Sequence, residues 1–208
     1  MKKAVVFINI GNLEYPDLSL KANQKYYNHF GIEMRVITKH HSETINTSPC
    51  WIKSLVYEIY PDLDFVLVQD MDIIPVDLQY NIFDFLMDDQ LNFATDETSI
   101  GKTPCLRNGK FFRWNAGLFA YPKRFKQLFR EIFNYGLPDP DGEHLFDQYY
   151  INDFVKDEYI NEIPYRFNTF FNPEIDYSKI SFVHYTNYMG SHDKRPYIEK
   201  YHPKDMLE

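Results

Sequence analysis

The chain has 208 residues, of which 44% are hydrophobic and 18% aromatic; this fits one globular domain with a substantial core and excludes a disordered polypeptide. Its 30 acidic and 22 basic residues give a formal net charge of -8, and no lysine or arginine run could follow a phosphate backbone, which argues against a nucleic-acid partner. An acidic protein that binds a phosphorylated ligand must neutralise charge locally, and a divalent cation can do this.

The cysteines and the apolar N-terminal run bear on the cellular compartment. Cys50 and Cys105 belong to no Cys-x-x-Cys or Cys/His spacing, so the sequence indicates neither a zinc site nor a disulfide framework, and predicts reduced thiols. Asn9 and Gly11 interrupt the run at residues 4–8 too early for a signal peptide, and no later stretch has the length of a membrane span. We therefore expect a cytoplasmic protein without a membrane span.

Strand-like and helix-like segments alternate along the chain. Short apolar runs predict buried strands, and apolar residues at three- and four-residue spacing predict helices. The alternation predicts the α/β class. In chain order, the predicted elements are a strand at 4–11, a helix at 18–30 closed by Gly31, a strand at 33–38, a helix from 47–49 to Pro61, a strand at 65–69, a helix at 78–87, strands at 92–95 and 117–121, helices at 123–135 and 145–155, and a strand at 180–183. From Asn187 onward the chain is polar and predicts an irregular, mobile tail that folds back over the site.

Asp-x-Asp triplets occur at residues 62–64, 70–72 and 139–141. The last lies among Pro and Gly in a predicted turn, and the first precedes a strand. Only Asp70 and Asp72 directly follow a strand, and ligands of open α/β sheets gather at the carboxyl ends of strands. Two carboxylates so placed can share a hard cation with phosphate oxygens, and the cation stabilises a diphosphate as a leaving group. A solvated acidic turn is the alternative for the isolated triplet.

The segment VLVQDMDIIP, residues 66–75, resembles the strand and Asp-x-Asp segment of GT-A glycosyltransferases. Other segments resemble the retaining subgroup that contains glycogenin and bacterial lipopolysaccharide galactosyltransferases. Asn115, Ala116 and Gly117 resemble that subgroup's Asn-Ala-Gly, which meets the donor sugar. Asp147 and Gln148 resemble its Asp-Gln pair beside the reacting carbon, which implies a catalytic role. The resemblance implies that Asp70 and Asp72 bind the metal.

The C-terminal part resembles the subgroup's ending H-x-x-G-x-x-K-P. His184 would be the third metal ligand, and Gly190 and Lys194 would hold the diphosphate. The spacing from His184 to Gly190 is six positions where the family has three, and Arg-Pro follows Lys194 where the family has Pro-Trp. His192 is a competing ligand, and a buried strand-end histidine bonded to backbone is the alternative for His184.

Nucleotide contacts are implied at the end of the first strand and on the helix before the third. Asn9, Gly11, Asn12 and Tyr15 are expected to bind the nucleotide, because Asn12 and Tyr15 reproduce the family's N-x-x-Y, whose ring stacks on uracil. Lys53 lies where the family carries a basic residue near the donor sugar and phosphate. An exposed helical lysine is the alternative for Lys53.

The resemblance covers residues 12–196 in the family's order. It implies one GT-A, Rossmann-like α/β domain over residues 1–208, with a mixed, mainly parallel central sheet flanked by helices. Residues 1–115 would form the nucleotide-binding half, and residues 116–208 the acceptor and sugar half with the C-terminal tail. The implied enzyme is a hexosyltransferase that uses Mn2+ (or Mg2+), a nucleotide-sugar donor that is UDP-linked, and a glycan or glycoprotein acceptor. Retention is expected; in an inverting enzyme, Asp147 or Asp153 would be the general base.

A looser resemblance links the chain to glycosyltransferase domains of large algal (chlorella) viruses, which would place it in the host cytoplasm. Two alternative functions remain. A sugar nucleotidyltransferase also pairs strand-end aspartates with a metal, but no Gly-rich, Lys/Arg-bearing phosphate loop follows the first strand. A non-catalytic carbohydrate-binding or scaffold domain of the same fold would suit the many aromatic residues.

Overall fold

The structure, a computed structural model, describes residues 1–11, 13, 15–44, 48–95, 105–107, 110–136, 146–185 and 194–208. Its strands are β1 Lys3–Ile8, β2 Glu33–Ile37, β3 Phe65–Gln69, β4 Ile73–Pro75, β5 Leu91–Thr95, β6 Cys105–Arg107, β7 Lys110–Phe112, β8 Trp114–Pro122, β9 Ile160–Ile163, β10 Thr169–Phe170 and β11 Phe182–His184. Its α-helices are α1 Pro16–His29, α2 Val56–Ile59, α3 Lys126–Gly136, α4 Phe146–Phe154, α5 Arg195–Tyr201 and α6 Lys204–Leu207. Short 3₁₀ helices lie at Ser42–Thr44, Pro49–Leu55, Ile82–Phe85, Lys123–Phe125, Asp157–Tyr159, Tyr165–Phe167 and Tyr177–Lys179.

The main sheet has six strands in the order β2-β1-β3-β8-β5-β9. β1 pairs in parallel with β2 and β3, and β5 pairs in parallel with β9. β8 runs antiparallel between β3 and β5. The sheet is therefore mixed and mainly parallel, which confirms the predicted fold class.

Both faces of this sheet are buried, because successive residues of a strand point to opposite faces. Val5 and Phe7 of β1 pack in one core with residues of α1, and Ala4 and Val6 pack in a second core with Trp51. Burial on both faces explains why β1 and β3 are continuous apolar runs. Their carboxyl ends remain the free edge at which side chains can meet a ligand.

A small sheet in the order β10-β11-β4 lies beside that edge. β11 runs antiparallel to β4, with His184 opposite Ile73. β4 begins one residue after Asp72, so the pairing brings the end of β11 next to the Asp70–Asp72 turn. A hairpin of β6 and β7 forms a further two-stranded sheet.

Most predicted elements are confirmed, including the first βαβ unit and the strand before Asp70. The predicted helix at residues 78–87 is wrong, since only the 3₁₀ turn Ile82–Phe85 forms there. Local side chains replace helical hydrogen bonds in this segment. Gln79 N donates to Asp77 Oδ1 (3.0 Å), and Phe83 N donates to Asn81 Oδ1 (3.1 Å). The predicted helix before Pro61 begins as the 3₁₀ helix Pro49–Leu55 and continues as α2.

The expectation of an irregular tail is wrong for the end of the chain. Residues 195–207 form α5 and α6, whose Ile198 and Met206 are fully buried in the core that contains α1. These two apolar side chains anchor the segment in the core, although the segment is polar in overall composition. The rest of the expected tail, up to residue 193, lies outside the described residues. No described helix is both long and apolar enough to cross a bilayer.

Candidate active site

The Asp70–Asp72 turn connects the two sheets. Asp70 follows the last residue of β3, and its backbone N–H donates to Gly117 O on β8 (2.8 Å). Asp72 precedes β4, and its carbonyl accepts from Tyr185 N (2.8 Å), just beyond β11. Both ends of the turn are thus fixed by backbone hydrogen bonds, so the two carboxylates project from a rigid position.

Asp70, Asp72 and His184 form a cluster. Each offers one ligand atom, and these atoms lie within 4.8 Å of one another. His184 Nε2 lies 3.4 Å from Asp72 Oδ1, while Nδ1 lies 2.9 Å from Asn168 Oδ1. His184 ends β11, as predicted, and it is buried. Within the described residues its ring bonds to the side chain of Asn168 and to no backbone group.

Gly117 allows β8 to approach this cluster. A β-carbon at residue 117 would lie 2.7 Å from Asn115 Oδ1, 2.9 Å from His184 Cε1 and 3.2 Å from Asp70 Oδ2, too near for an unshifted side chain. Two carboxylates and an imidazole that converge on a space without a β-carbon suit a divalent cation. The residues present therefore fit such an ion, without specifying which metal.

Lys53 joins Asp70 to Asp147. Its Nζ lies 2.7 Å from Asp70 Oδ1 and 3.2 Å from Asp147 Oδ2, and it donates to Ala116 O (2.9 Å). Burial alone would lower the pKa of Lys53, but the charges of Asp147 and Asp70 outweigh burial and raise it. Lys53 is thus a buried cation, and the alternative of an exposed lysine is wrong.

Lys194 has the corresponding place beside Asp72. Its ammonium forms a short ion pair with Asp72 Oδ2 and lies 5.6 Å from the centre of the Tyr15 ring. Burial would raise the pKa of Asp72, but the charge of Lys194 is the main effect that outweighs burial and lowers it. Burial raises the pKa of Asp70; Lys53 opposes this rise, and Asp72 adds to it. Of the two carboxylates, Asp72 is the one stabilised as an anion.

The start of α4 meets the Asn115–Gly117 segment of β8. Gln148 Oε1 accepts from Ala116 N (3.0 Å) and lies 3.4 Å from Asn115 Nδ2. Asn115 Oδ1 accepts from Gly117 N (2.8 Å), and Asp147 Oδ1 accepts from Gln148 N (3.0 Å). The structure therefore brings together the five residues predicted to line the donor-sugar and catalytic region.

A cavity of about 220 Å³ opens beside the Asp70–Asp72 turn. It is lined by Ile8, Ile10, Leu13, Tyr15, Pro49, Cys50, Lys53, Asp70, Met71 and Asp72. Of the predicted nucleotide contacts, Tyr15 and Lys53 line it, whereas Asn9 and Gly11 do not. Asn9 N donates to Ile37 O (2.8 Å), and Gly11 has a φ of 103°, a backbone conformation that favours glycine. Asn12, Gly190 and His192 lie outside the described residues.

Comparison with protein-family models gives no match, and comparison with curated protein sequences gives none either. Solved structures do match by shape. A glycosyltransferase involved in the glycosylation of the major capsid of PBCV-1 aligns over 92% of this chain and 98% of its own, with 13% identity and a TM-score of 0.68. The bifunctional glycosyltransferase WbbM aligns over 98% of this chain and 48% of its own, with 12% identity and a TM-score of 0.63. The galactosyltransferase LgtC, in complex with donor and acceptor sugar analogues, aligns over 96% and 83%, with 16% identity and a TM-score of 0.54.

The chain has the GT-A glycosyltransferase fold. In this fold the Asp70–Asp72 turn rests on a buried polar network that sequence reasoning missed. Ser19 Oγ donates to Met71 O (2.5 Å), while Asn23 Nδ2 and Gln69 Nε2 donate to Ile73 O (3.2 and 2.7 Å). Two features of the sequence could have indicated this network. Ser19 and Asn23 are polar residues four positions apart on the buried face of α1, and Gln69 ends an apolar strand.

Asn168 is a further residue of the site that the sequence analysis did not identify. It follows the 3₁₀ turn Tyr165–Phe167 and contacts His184 from 16 positions away. An asparagine beside a turn is ordinary in any sequence, so no local signal could have identified it.

Proposed function

We propose that the chain is a metal-dependent glycosyltransferase that moves a hexosyl group from a nucleotide-diphosphate sugar, UDP-linked, to a hydroxyl of a glycan or glycoprotein acceptor. The observation that carries this proposal is a convergence. Segments at residues 70–72, 115–117, 147–148 and 184, distant in sequence, meet at one edge of the main sheet. The likeness to glycosyltransferase structures supports the same conclusion.

Asp70, Asp72 and His184 would hold Mn2+ (or Mg2+). The spacing of their ligand atoms and the gap left by Gly117 support this assignment. When bound, the cation would neutralise the diphosphate and stabilise it as a leaving group.

The cavity beside the turn is the proposed nucleotide site. Its walls are mainly apolar, and Tyr15 offers a ring face to a base. Lys194, at the Asp72 end, would bind the diphosphate, and Asn9, Gly11, Asn12 and Gly190 are proposed to complete the contacts. The division into a nucleotide-binding half at residues 1–115 and a sugar and acceptor half at 116–208 is part of this proposal.

The donor sugar would lie against Asn115, Ala116 and Gly117. Asp147 and Gln148 would face the anomeric carbon, where Asp147 stabilises developing positive charge and the reaction proceeds with retention. Lys53 supports this role, because its buried ammonium lies 3.2 Å from Asp147 Oδ2 and favours the ionised form of that carboxylate. Water is kept from the pair by burial, since Asp147 and Gln148 are each 6% exposed.

The experiment is a screen of nucleotide-sugars with Mn2+ that reads thermal shift and release of the nucleoside diphosphate. We expect stabilisation by one donor only when Mn2+ is present, followed by slow diphosphate release. Asp72→Ala should abolish both responses. Asp62→Ala is the matched control and should keep them, because Asp62 pairs with Lys2 and Arg35 at the surface.

Other results would favour other functions. Pyrophosphate formation from a nucleoside triphosphate and a sugar phosphate would indicate a nucleotidyltransferase. Glycan binding without any nucleotide-sugar response would indicate a binding or scaffold domain. Metal-dependent donor binding that survives in Asp72→Ala would contradict the proposed metal site.

A further inference from the structure

Only one orientation of the Asn168 side-chain amide allows both its nitrogen and its oxygen to form hydrogen bonds. Asn168 is 1% exposed, and its Nδ2 lies 3.2 Å from Thr95 O. A backbone carbonyl only accepts hydrogen bonds, so the amide nitrogen must face Thr95. The amide oxygen then faces His184, whose Nδ1 is 2.9 Å away.

This orientation decides which ring nitrogen of His184 carries hydrogen. Asn168 Oδ1 can only accept, so Nδ1 must donate to it. A neutral imidazole has one N–H, and therefore Nε2 keeps its lone pair. Nε2 lies 3.4 Å from Asp72 Oδ1. Two electron-rich atoms face each other there, an arrangement that a cation between them relieves.

The other neighbours of the His184 ring fix its position but not its tautomer. The Phe170 ring meets it edge-on, with centroids 5.0 Å apart and planes at 87°. The backbone of β8 also lies close to the ring, since a β-carbon at Gly117 would be 2.9 Å from His184 Cε1. Neither contact distinguishes Nδ1 from Nε2, whereas the Asn168 contact does.

We propose that Asn168 is a positioning residue that holds His184 as the Nδ1–H tautomer and so presents the Nε2 lone pair to a divalent cation at Asp70 and Asp72. This inference rests on the proposed function, in which His184 is a metal ligand. Loss of the group that orients a metal-binding histidine lowers metal affinity by about 10- to 100-fold in other proteins. The same range is expected here.

The first test is ¹⁵N NMR of the imidazole nitrogens in metal-free protein, at a pH where the ring is neutral. Wild-type His184 should be the Nδ1–H tautomer, and Asn168→Leu should lose this preference. An Nε2–H imidazole in the wild type would overturn the proposal, even if Asn168→Leu does not fold. Because this test needs neither metal nor turnover, its failure is distinguishable from failure of the proposed function.

The second test is Mn2+ affinity by titration calorimetry. Asn168→Leu should bind Mn2+ about 10- to 100-fold more weakly. Asn168→Asp keeps an oxygen that accepts from Nδ1 and should retain most of the affinity. Unchanged affinity in Asn168→Leu would overturn the proposal.

Asn161→Leu is the matched control. Asn161 Nδ2 donates to Phe85 O (2.9 Å) and Asn92 Oδ1 (2.8 Å), away from the metal cluster. This variant should lose thermal stability while keeping wild-type Mn2+ affinity. A parallel loss of affinity in Asn161→Leu would assign both effects to general loosening of the structure and overturn the specific role of Asn168.

Discussion

Asp70 and Asp72 are one residue apart, but different parts of the chain surround them. Asp70 contacts residues of the main sheet and its flanking segments: Lys53 before α2 and Gly117 on β8, and Lys53 also contacts Asp147 on α4. The partners of Asp72 are His184 on the small sheet and Lys194 before α5. The site is therefore assembled where two regions of the fold meet, and one lysine serves each carboxylate.

The two lysines differ in how firmly they are held. Lys53 contacts two carboxylates and a backbone carbonyl, so it belongs to the framework. Within the described residues, Lys194 makes one ion pair, with Asp72, and lies over the Tyr15 ring. A lysine with one anionic partner beside a cavity can exchange that partner for a ligand phosphate. We infer that the Asp70 region is fixed and the Asp72 region exchangeable.

The largest expected effect is on the fixed region. Lys53→Met would leave Asp147 buried without its cation, and breaking a buried ion pair costs about 3–5 kcal/mol. The free energy of unfolding, measured by urea denaturation, should fall by that amount. Lys126→Met is the control, since its surface pair with Glu58 is worth about 1 kcal/mol or less. Equal losses in the two variants would show that Lys53 is not part of the framework.

His202 connects the C-terminal helices to the Asp72 region through hydrogen bonds. The dependence of the unfolding free energy on pH can test this connection. Its Nε2 donates to Pro75 O (3.0 Å), and Nδ1 accepts from Tyr185 Oη (3.1 Å). Burial lowers the pKa of His202 from 6.5 to about 4, although Pro75 O and Asp205 oppose this. Unfolded chains therefore bind more protons between these values, so stability is complete above pH 6.5 and is lost as pH falls to about 4.

The loss attributable to His202 is roughly 3 kcal/mol, because each pKa unit corresponds to about 1.4 kcal/mol. Replacement of His202 by Gln should flatten the dependence of unfolding free energy on pH between 6.5 and 4. An unaltered slope in His202→Gln would assign the acid sensitivity to other groups.

Gly117→Ala should disturb both regions at once. The added β-carbon would meet Asn115 Oδ1 at 2.7 Å and His184 Cε1 at 2.9 Å, and overpacking costs about 1–3 kcal/mol. Calorimetry should also show weaker Mn2+ binding, because His184 must move. Gly31→Ala is the control: its φ of 67° makes alanine strained, but nothing lies within 4 Å. That variant should lose stability and keep its metal affinity.

The smallest stability effect is expected for Lys194→Met. Asp72 lines the cavity, so the free energy of unfolding should fall less in Lys194→Met than in Lys53→Met. Loss of the Lys194 ammonium beside Asp72 should strengthen Mn2+ binding in the absence of nucleotide and weaken UDP binding. Calorimetry with each ligand separates the two effects. Equal stability losses for both lysine variants would remove the distinction between a fixed and an exchangeable region.

The predictable parts of the fold and site were those with local signals. A buried apolar strand that ends in Asp70 marked the turn, and resemblance to a known family marked Asp147 and Gln148. Asn168 could not be predicted, because it acts through His184, a partner distant in sequence. Asn23, which donates to Ile73 O, had only the spacing of polar residues on α1 as a signal. The helix at residues 78–87 was predicted wrongly because of local interactions. The apolar spacing was present, but short polar side chains accept hydrogen bonds from the backbone N–H groups there.

The most direct measurement of the central claim is pulsed EPR of bound Mn2+ in the presence of UDP. If Asp70, Asp72 and His184 hold the cation together, the wild-type spectrum will contain hyperfine coupling to an imidazole nitrogen, and His184→Gln will lose that coupling. A manganese signal without nitrogen coupling, or coupling that persists in His184→Gln, would contradict the account.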